Sequence, residues 1–459
     1  MAMGNWKAER QSALWVPTSE LPAPPGHPFY QQLNAILRKH GFDRFVEGLC
    51  QKFYAPTMGR PSIPPGVYFR MLLVGYFEGI DSERGIAWRV ADSIALRGFL
   101  GYELTQAPPD HSTLSRTRRL MDLETHEEVF RWILGVLAKE GLLKGKTIGV
   151  DATTLEANAA LRSIVRRDTG ENYEEFLERL AKASGIETPT KQDLAKLDRK
   201  RPHKGSNEDW EHPQDPDAAI AKMKDGRTHL AHKAEHAADL ESQAVVAVTL
   251  SGGDEGDTDT LAWTMTEAEQ NLAEVAKDPE AEKRLSKKPA SEAVLDKGYH
   301  SNAVCLWLRG DGIRSYISEP ERGRRNWKGK AKERAAVYAN RRRIRGERGR
   351  GLLRKRGEFL ERGFAHVYDR GGMRRLHLRG RGNILKRLLV HVGGFNLSLA
   401  LRKLIGCGTP KGLGGHPFGV LAGMLHPLSA CRTVATALLR ALWRRVAVSA
   451  AARPTVVAA

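Results

Sequence analysis

Cysteine is scarce in this 459-residue chain. Four are present, Cys50, Cys305, Cys407 and Cys431, and no two form a Cys-x-x-Cys pair. Neither a disulfide framework nor a zinc knuckle is supported by that spacing, and the thiols read as packing groups. Long uncharged runs are missing too. The longest, Gly412 to Cys431, is broken by His416, Pro417, His426 and Pro427 and makes a poor membrane span. The first twenty residues carry Lys7, Glu9 and Arg10 with no apolar stretch behind them, so no signal peptide is expected. These absences predict a cytoplasmic protein with no membrane association.

Negative charge is also in short supply. Fifty-four Asp and Glu face 73 Lys and Arg, a formal net charge of +19. Such an excess points to a polyanionic partner, because attraction to phosphate supplies most sequence-independent affinity for nucleic acid. Residues 321–380 hold 21 Lys and Arg against 6 Asp and Glu, a net +15, so one segment carries most of the imbalance. Within it lie Arg324, Arg325, Arg341, Arg342, Arg343, Arg354 and Arg356. An apolar-periodic stretch follows (Phe359, Leu360, Phe364, Val367), which favours a phosphate-binding surface over a solvated tail. Trp327 sits inside this run, a composition suited to stacking on an unpaired base or wedging into a duplex end.

Length and a 41% hydrophobic content allow two or three domains. Residues 1–145 read as mostly helical and as a small domain of their own, with apolar periodicity in Tyr30 to Leu37, Val67 to Phe77 and Val129 to Leu143. Gly59-Arg60-Pro61-Ser62-Ile63-Pro64-Pro65 looks like a turn into the second helix. In Pro109-Asp110-His111-Ser112, Asp110 or Ser112 can cap a helix from which Arg116, Arg118 and Arg119 project as DNA contacts. A charged insertion at about 162–225 is expected to hold one helix, Tyr173 to Ala183, and a mobile remainder. Strand character returns at Thr228 to Ala231 and Gln243 to Leu250. A helix, Leu261 to Ala276, and two short strands, Ala293 to Leu295 and Ile313 to Ile317, follow.

Three short stretches carry acidic residues suited to two-metal phosphoryl transfer: Ile148-Gly149-Val150-Asp151, Val294-Leu295-Asp296-Lys297-Gly298-Tyr299 and Glu358-Phe359-Leu360-Glu361-Arg362-Gly363-Phe364. Each Asp ends an apolar run and is expected at the carboxyl edge of a buried strand, while the Glu belongs to an Arg-rich helix. Three carboxylates gathered this way hold two divalent ions, which clamp the attacking and leaving oxygens of an in-line displacement. Asp239, Asp254, Asp257 and Asp259 compete for the middle place but read better as turn or capping residues. His229, His232 and His236 invite a zinc reading. A strand would turn His229 away from the other two, and a polar strand edge fits better. His300 is a loop histidine close enough to Asp296 to position a phosphate or a water.

The order of elements is three strands, helix, strand, helix, strand, helix. With an Asp on the first strand, an Asp after the fourth and a Glu on a late helix, the chain resembles the DDE transposases of bacterial insertion sequences. The specific likeness is to the group with a Gly-Arg-Pro turn and a Pro-Asp-His-Ser-Thr-Leu-Ser-Arg element, over about 59–404. The resemblance implies an α/β fold, a ribonuclease H-like mixed sheet flanked by helices, at 146–405, preceded by an all-α domain and followed by a C-terminal extension at 406–459. It implies Asp151, Asp296 and Glu361 as catalytic and metal-binding residues, with Glu358 a rival for the third place. Two Mg2+ ions are implied as cofactor, with Mn2+ able to substitute. The implied partners are double-stranded DNA, namely the terminal inverted repeats of its own element and target DNA, bound by a homodimer at the bacterial nucleoid. Lys297, Arg362, Arg379 and Lys386 join the arginines above as expected phosphate contacts. Many relatives carry Tyr, Arg and Lys where this chain has Arg354, Gly357 and Tyr368, and Arg356 or Arg362 can stand in for the Arg. A ribonuclease H-like nuclease without strand transfer, and a DNA-binding remnant without activity, remain alternatives. Residues beyond 406 are expected to form a dimer contact or to be read-through sequence.

Overall fold

The computed structural model describes residues 27–55, 62–201, 205–223, 226–321, 323 and 325–413. Gly59-Arg60-Pro61, Arg324 and the stretch Leu421 to Val446 therefore lie outside the described residues.

Among the described residues, seven α-helices come first: α1 Pro28–Lys39, α2 Phe42–Cys50, α3 Pro65–Glu78, α4 Glu83–Ala91, α5 Ile94–Leu100, α6 His111–Leu120 and α7 Leu123–Lys139. Pro65 at its first position and left-handed Gly79 at its C-cap bound α3, which is apolar nearly all round and is buried along almost its whole length. Asp110 caps α6 and Asp122 caps α7, each carboxylate accepting the backbone N–H three residues on. The apolar pattern at 129–143 therefore belongs to a helix that ends at Lys139, its last residues continuing beyond the helix.

The sheet begins with β1 Thr147–Glu156, after which the insertion holds β2 Val165–Arg166, α8 Tyr173–Ala183, α9 Lys191–Lys200 and β3 Trp210–Glu211. The part expected to be mobile is folded in its described residues. Trp210 is buried against Tyr173 and Phe176, and Arg166 and Arg201 lie over these rings. Charged composition concealed a core held by cation–π and aromatic contacts. The chain continues through β4 Ala219–Lys222, β5 Thr228–Asp239, β6 Val245–Gly252, α10 Asp257–Val275, α11 Pro279–Glu282, β7 Glu292–Leu295, α12 Asn302–Gly310 and β8 Arg314–Ile317. It closes with α13 Ala331–Arg345, α14 Glu347–Phe364, a π-helical turn at Ala365–Arg370, α15 Arg381–Ile405 and α16 Pro410–Leu413.

The main sheet runs β6-β5-β1-β7-β8, with β4 paired to the first residues of β5. β1, β5 and β6 are antiparallel neighbours, whereas β7 and β8 run parallel to β1. This is a mixed sheet among many helices. β5 is longer than its sequence signal because both of its faces are covered, leaving little alternation to read. His232 and His236 consequently lie in the interior, correcting the polar-edge expectation.

The apolar faces of α1 to α7 do not close on themselves. They share one continuous core with the sheet through α15 and α10. α15 is long and apolar enough to cross a membrane, but 94% of its apolar window is buried inside the protein. Its close approach to α3 requires glycine: a Cβ on Gly394 would lie 2.5 Å from the Tyr76 ring. Gly394→Ala should destabilise the protein by about 1–3 kcal/mol through overpacking. Gly357→Ala, at an α14 position with open space around it, should be neutral or stabilising by up to about 1 kcal/mol. Urea midpoints of the two variants check both expectations.

Candidate active site

β1 and β7 are parallel neighbours with Val150 opposite Leu295 as their last paired residues. The next residues are Asp151 and Asp296, so the register itself sets the two carboxylates side by side. Asp296 ends its strand as expected, but Asp151 does not: β1 continues five residues further, to Glu156. What ends at Asp151 is the pairing with β7, which opens a notch in the sheet beside it.

Arg356 of α14 fills that notch. One guanidinium nitrogen lies 2.8 Å from Asp151 Oδ2 and the other 3.5 Å from Asp296 Oδ1. Its stem crosses Gly149, where a Cβ would come within 3.2 Å of the Arg356 Cγ. Burial pushes the Asp151 carboxyl up, Arg356 opposes that shift, and the charge of Asp296 adds to it. Asp151 also accepts the N–H of Ala152.

Glu361 is on the same helix but is exposed, and Glu358 pairs with Arg362 at 2.5 Å. Five residues separate Arg356 from Glu361, about 140° around a helix, so presenting one to the aspartates turns the other away. Among the described residues no group of three His, Cys, Asp or Glu side chains is arranged to hold a metal ion. Two carboxylates already bridged by a cation do fit a divalent ion, and the third ligand is not beside them in this arrangement.

Behind the notch lies a polar cluster that sequence reading missed. Tyr299 donates to Glu235 at 2.7 Å, Thr260 donates to the same oxygen, and Lys233 pairs with Asp257 at 2.8 Å. Burial raises both the Tyr299 and Glu235 pKa. Asp257 stands in the first turn of α10, and its carboxylate leans on Gly298, where a Cβ would meet it at 2.4 Å. The cluster anchors the Asp296-Lys297-Gly298-Tyr299 turn to β5 and α10. A Lys and a Glu two residues apart within a strand were the available sequence signal. The histidines are held separately: His232 pairs with Asp215 at 3.2 Å, and His236 bonds the Tyr368 hydroxyl at 2.6 Å. Burial pushes His236 down to about 3, so it is neutral.

The expected phosphate contacts divide sharply. Arg341 and Arg325 pair with Glu319, Arg343 donates to Ser315, Arg118 pairs with Glu83, and Lys386 donates to the carbonyls of Arg118 and Met121. Arg379 donates to the Asn158 carbonyl. Trp327 is partly buried and edges onto Tyr338. Arg118 does not project from α6. Arg116 and Arg119 are exposed and bond only within α6, while Lys297, Arg342 and Arg354 are exposed without an acceptor among the described residues. Arg345 and Arg350, of the same basic run, are equally exposed and without an acceptor among the described residues.

Residues 20–120 match a family model described as a transposase domain (DUF772). Those residues are similar to that transposase domain. No curated protein and no solved structure matches it. The matched segment ends with α6, so the likeness covers the N-terminal helices, while Asp151 and Asp296 lie outside it. Tyr299→Phe should leave Glu235 with one donor fewer and cost about 1–3 kcal/mol in a urea unfolding titration. An unchanged midpoint would remove the anchoring role of the cluster.

Proposed function

We propose that this protein is a DDE-type DNA transposase with a ribonuclease H-like catalytic core. The observation that carries the reading is the level placement of Asp151 and Asp296 at the end of the β1–β7 parallel ladder, with a cation between them. Three antiparallel strands followed by two parallel ones, in the order β6-β5-β1-β7-β8, agree with that core, and the transposase domain at 20–120 supplies the biological context.

In this reading Asp151 and Asp296 hold divalent metal, Mg2+ or Mn2+, and Glu361 is the third carboxylate, recruited when α14 turns. Bound divalent ions polarise the scissile phosphate and the attacking oxygen. The chain's own residues do the rest. The Tyr299–Glu235 bond holds the Asp296 turn, and Gly149 leaves room above β1. Exposed Arg342, Arg345, Arg350 and Arg354 on α13 and α14 neutralise phosphates of the element ends and the target duplex. Arg350, Arg354, Gly357 and Glu361 fall on one stripe of α14, so this rail leads to the third carboxylate.

The test is incubation of the protein with Mg2+ or Mn2+ and duplexes carrying the ends of its own element. Asp151→Ala and Asp296→Ala should each lower end cleavage by about a hundredfold or more, and Glu361→Ala should do the same if α14 delivers that residue. Joined products distinguish a transposase from a nuclease, and binding without cleavage would leave a DNA-binding remnant. Independently, Arg350→Ala and Arg354→Ala should each reduce the slope of log affinity against log salt by roughly one unit. An unchanged slope would move the DNA path off α14.

A further inference from the structure

We propose that Arg356 is the resident counter-ion of the aspartate pair, and that a divalent ion loads by displacing its guanidinium, a step that bound DNA favours. This rests on the metal-binding reading of Asp151 and Asp296 above and adds its regulation.

Arg356 is not a surface arginine that has drifted onto a carboxylate. Its side chain is only 12% exposed, its stem lies across Gly149, and its two terminal nitrogens are divided between two carboxylates on different strands. The Nε is buried without a partner. The group is thus built into the site while its donor capacity is only partly used. Two carboxylates brought level by the sheet repel one another. One guanidinium leaves the trio with a single net negative charge, which permits the pair to exist without metal.

A divalent ion and this guanidinium cannot both occupy the space between Asp151 and Asp296. Exchange neutralises both carboxylates and leaves the guanidinium, which never loses its proton, without a counter-charge. That state is unfavourable for a mostly buried cation. A phosphate diester entering the notch beside Asp151 and Asp296 supplies the missing negative charge. Metal and DNA each stabilise the state that the other requires, so each must raise the affinity of the other by the same factor. Without DNA, Arg356 holds the site closed to metal, which restrains metal-dependent nicking away from a bound duplex.

The test measures Mn2+ affinity by the loss of the free-ion paramagnetic resonance signal, with no turnover involved. Arg356→Ala without DNA should bind Mn2+ at least about tenfold more tightly than wild type. Millimolar guanidinium ion, refilling the space left by the side chain, should weaken that binding back toward wild type. A short uncleavable duplex should tighten Mn2+ binding to wild type and do so much less to Arg356→Ala. Arg356→Lys, which keeps one charge but cannot bridge two carboxylates, should fall between them and serves if the alanine variant does not fold. Equal or weaker Mn2+ binding in both Arg356 variants, with Asp151→Asn still losing the ion, would overturn the exchange while leaving the metal site standing. Mn2+ binding untouched by Asp151→Asn and Asp296→Asn would overturn the metal reading itself, and the exchange with it.

Discussion

Everything in the candidate site follows from the pairing of β1. This strand is hydrogen-bonded antiparallel to β5 on one side and parallel to β7 on the other. The parallel side determines which residue stands beside Asp296, and the antiparallel side determines what lies beneath. Because β1 outruns β7, the ladder stops where the acidic residues begin. A slip of one residue would put Asp151 on the α10 face and break the pair, since neighbouring side chains alternate between faces. The register is secured by what each face buries. Ile148 and Val150 enter the core, and Asp151 shares the opposite face with its cross-strand partner His236, which packs against Phe364 and Tyr368 beneath α14.

α14 therefore has two tasks that compete. Its apolar residues Leu360 and Phe364 seat it on the sheet, and that seating presents Arg356 to the aspartates while Glu361 faces outward. The π-helical turn that follows, Ala365–Arg370, departs from regular helical register directly after this region, a feature often found at functional positions. Tyr368 within it bonds His236, tying the turn to the strand opposite Asp151.

The basic segment shows how far net charge overstates a binding surface. Glu319 alone engages Arg325 and Arg341, and the buried carboxylate of Glu292 takes Arg348. Arg341 of α13 and Arg348 of α14 thereby cross-link their helices to the β7–β8 edge, where their planar, multi-donor heads suit carboxylates. Among the described arginines of α13 and α14, those on the outer faces, Arg342, Arg345, Arg350 and Arg354, are available to a polyanion.

The sequence by itself determined the local features. Pro65 and Asp110 marked helix starts, the apolar runs before Asp151 and Asp296 marked strands, and the order of β1, β5, β6, β7 and β8 was legible, whereas β4 was not. Caps and periodicity depend on neighbours within a few residues, so one chain suffices to read them. The folded insertion was hidden because its core is built from aromatic rings and arginines, which composition counts as polar. Tertiary structure alone decided that Arg356 enters the aspartate notch while Glu361 does not, that Lys233 and Glu235 back the Asp296 turn, and that Arg325, Arg341 and Arg343 of the basic segment are spent on internal partners. Each of these depends on a helix's rotation about its axis or on contacts between separate elements, and neither quantity is written in local pattern.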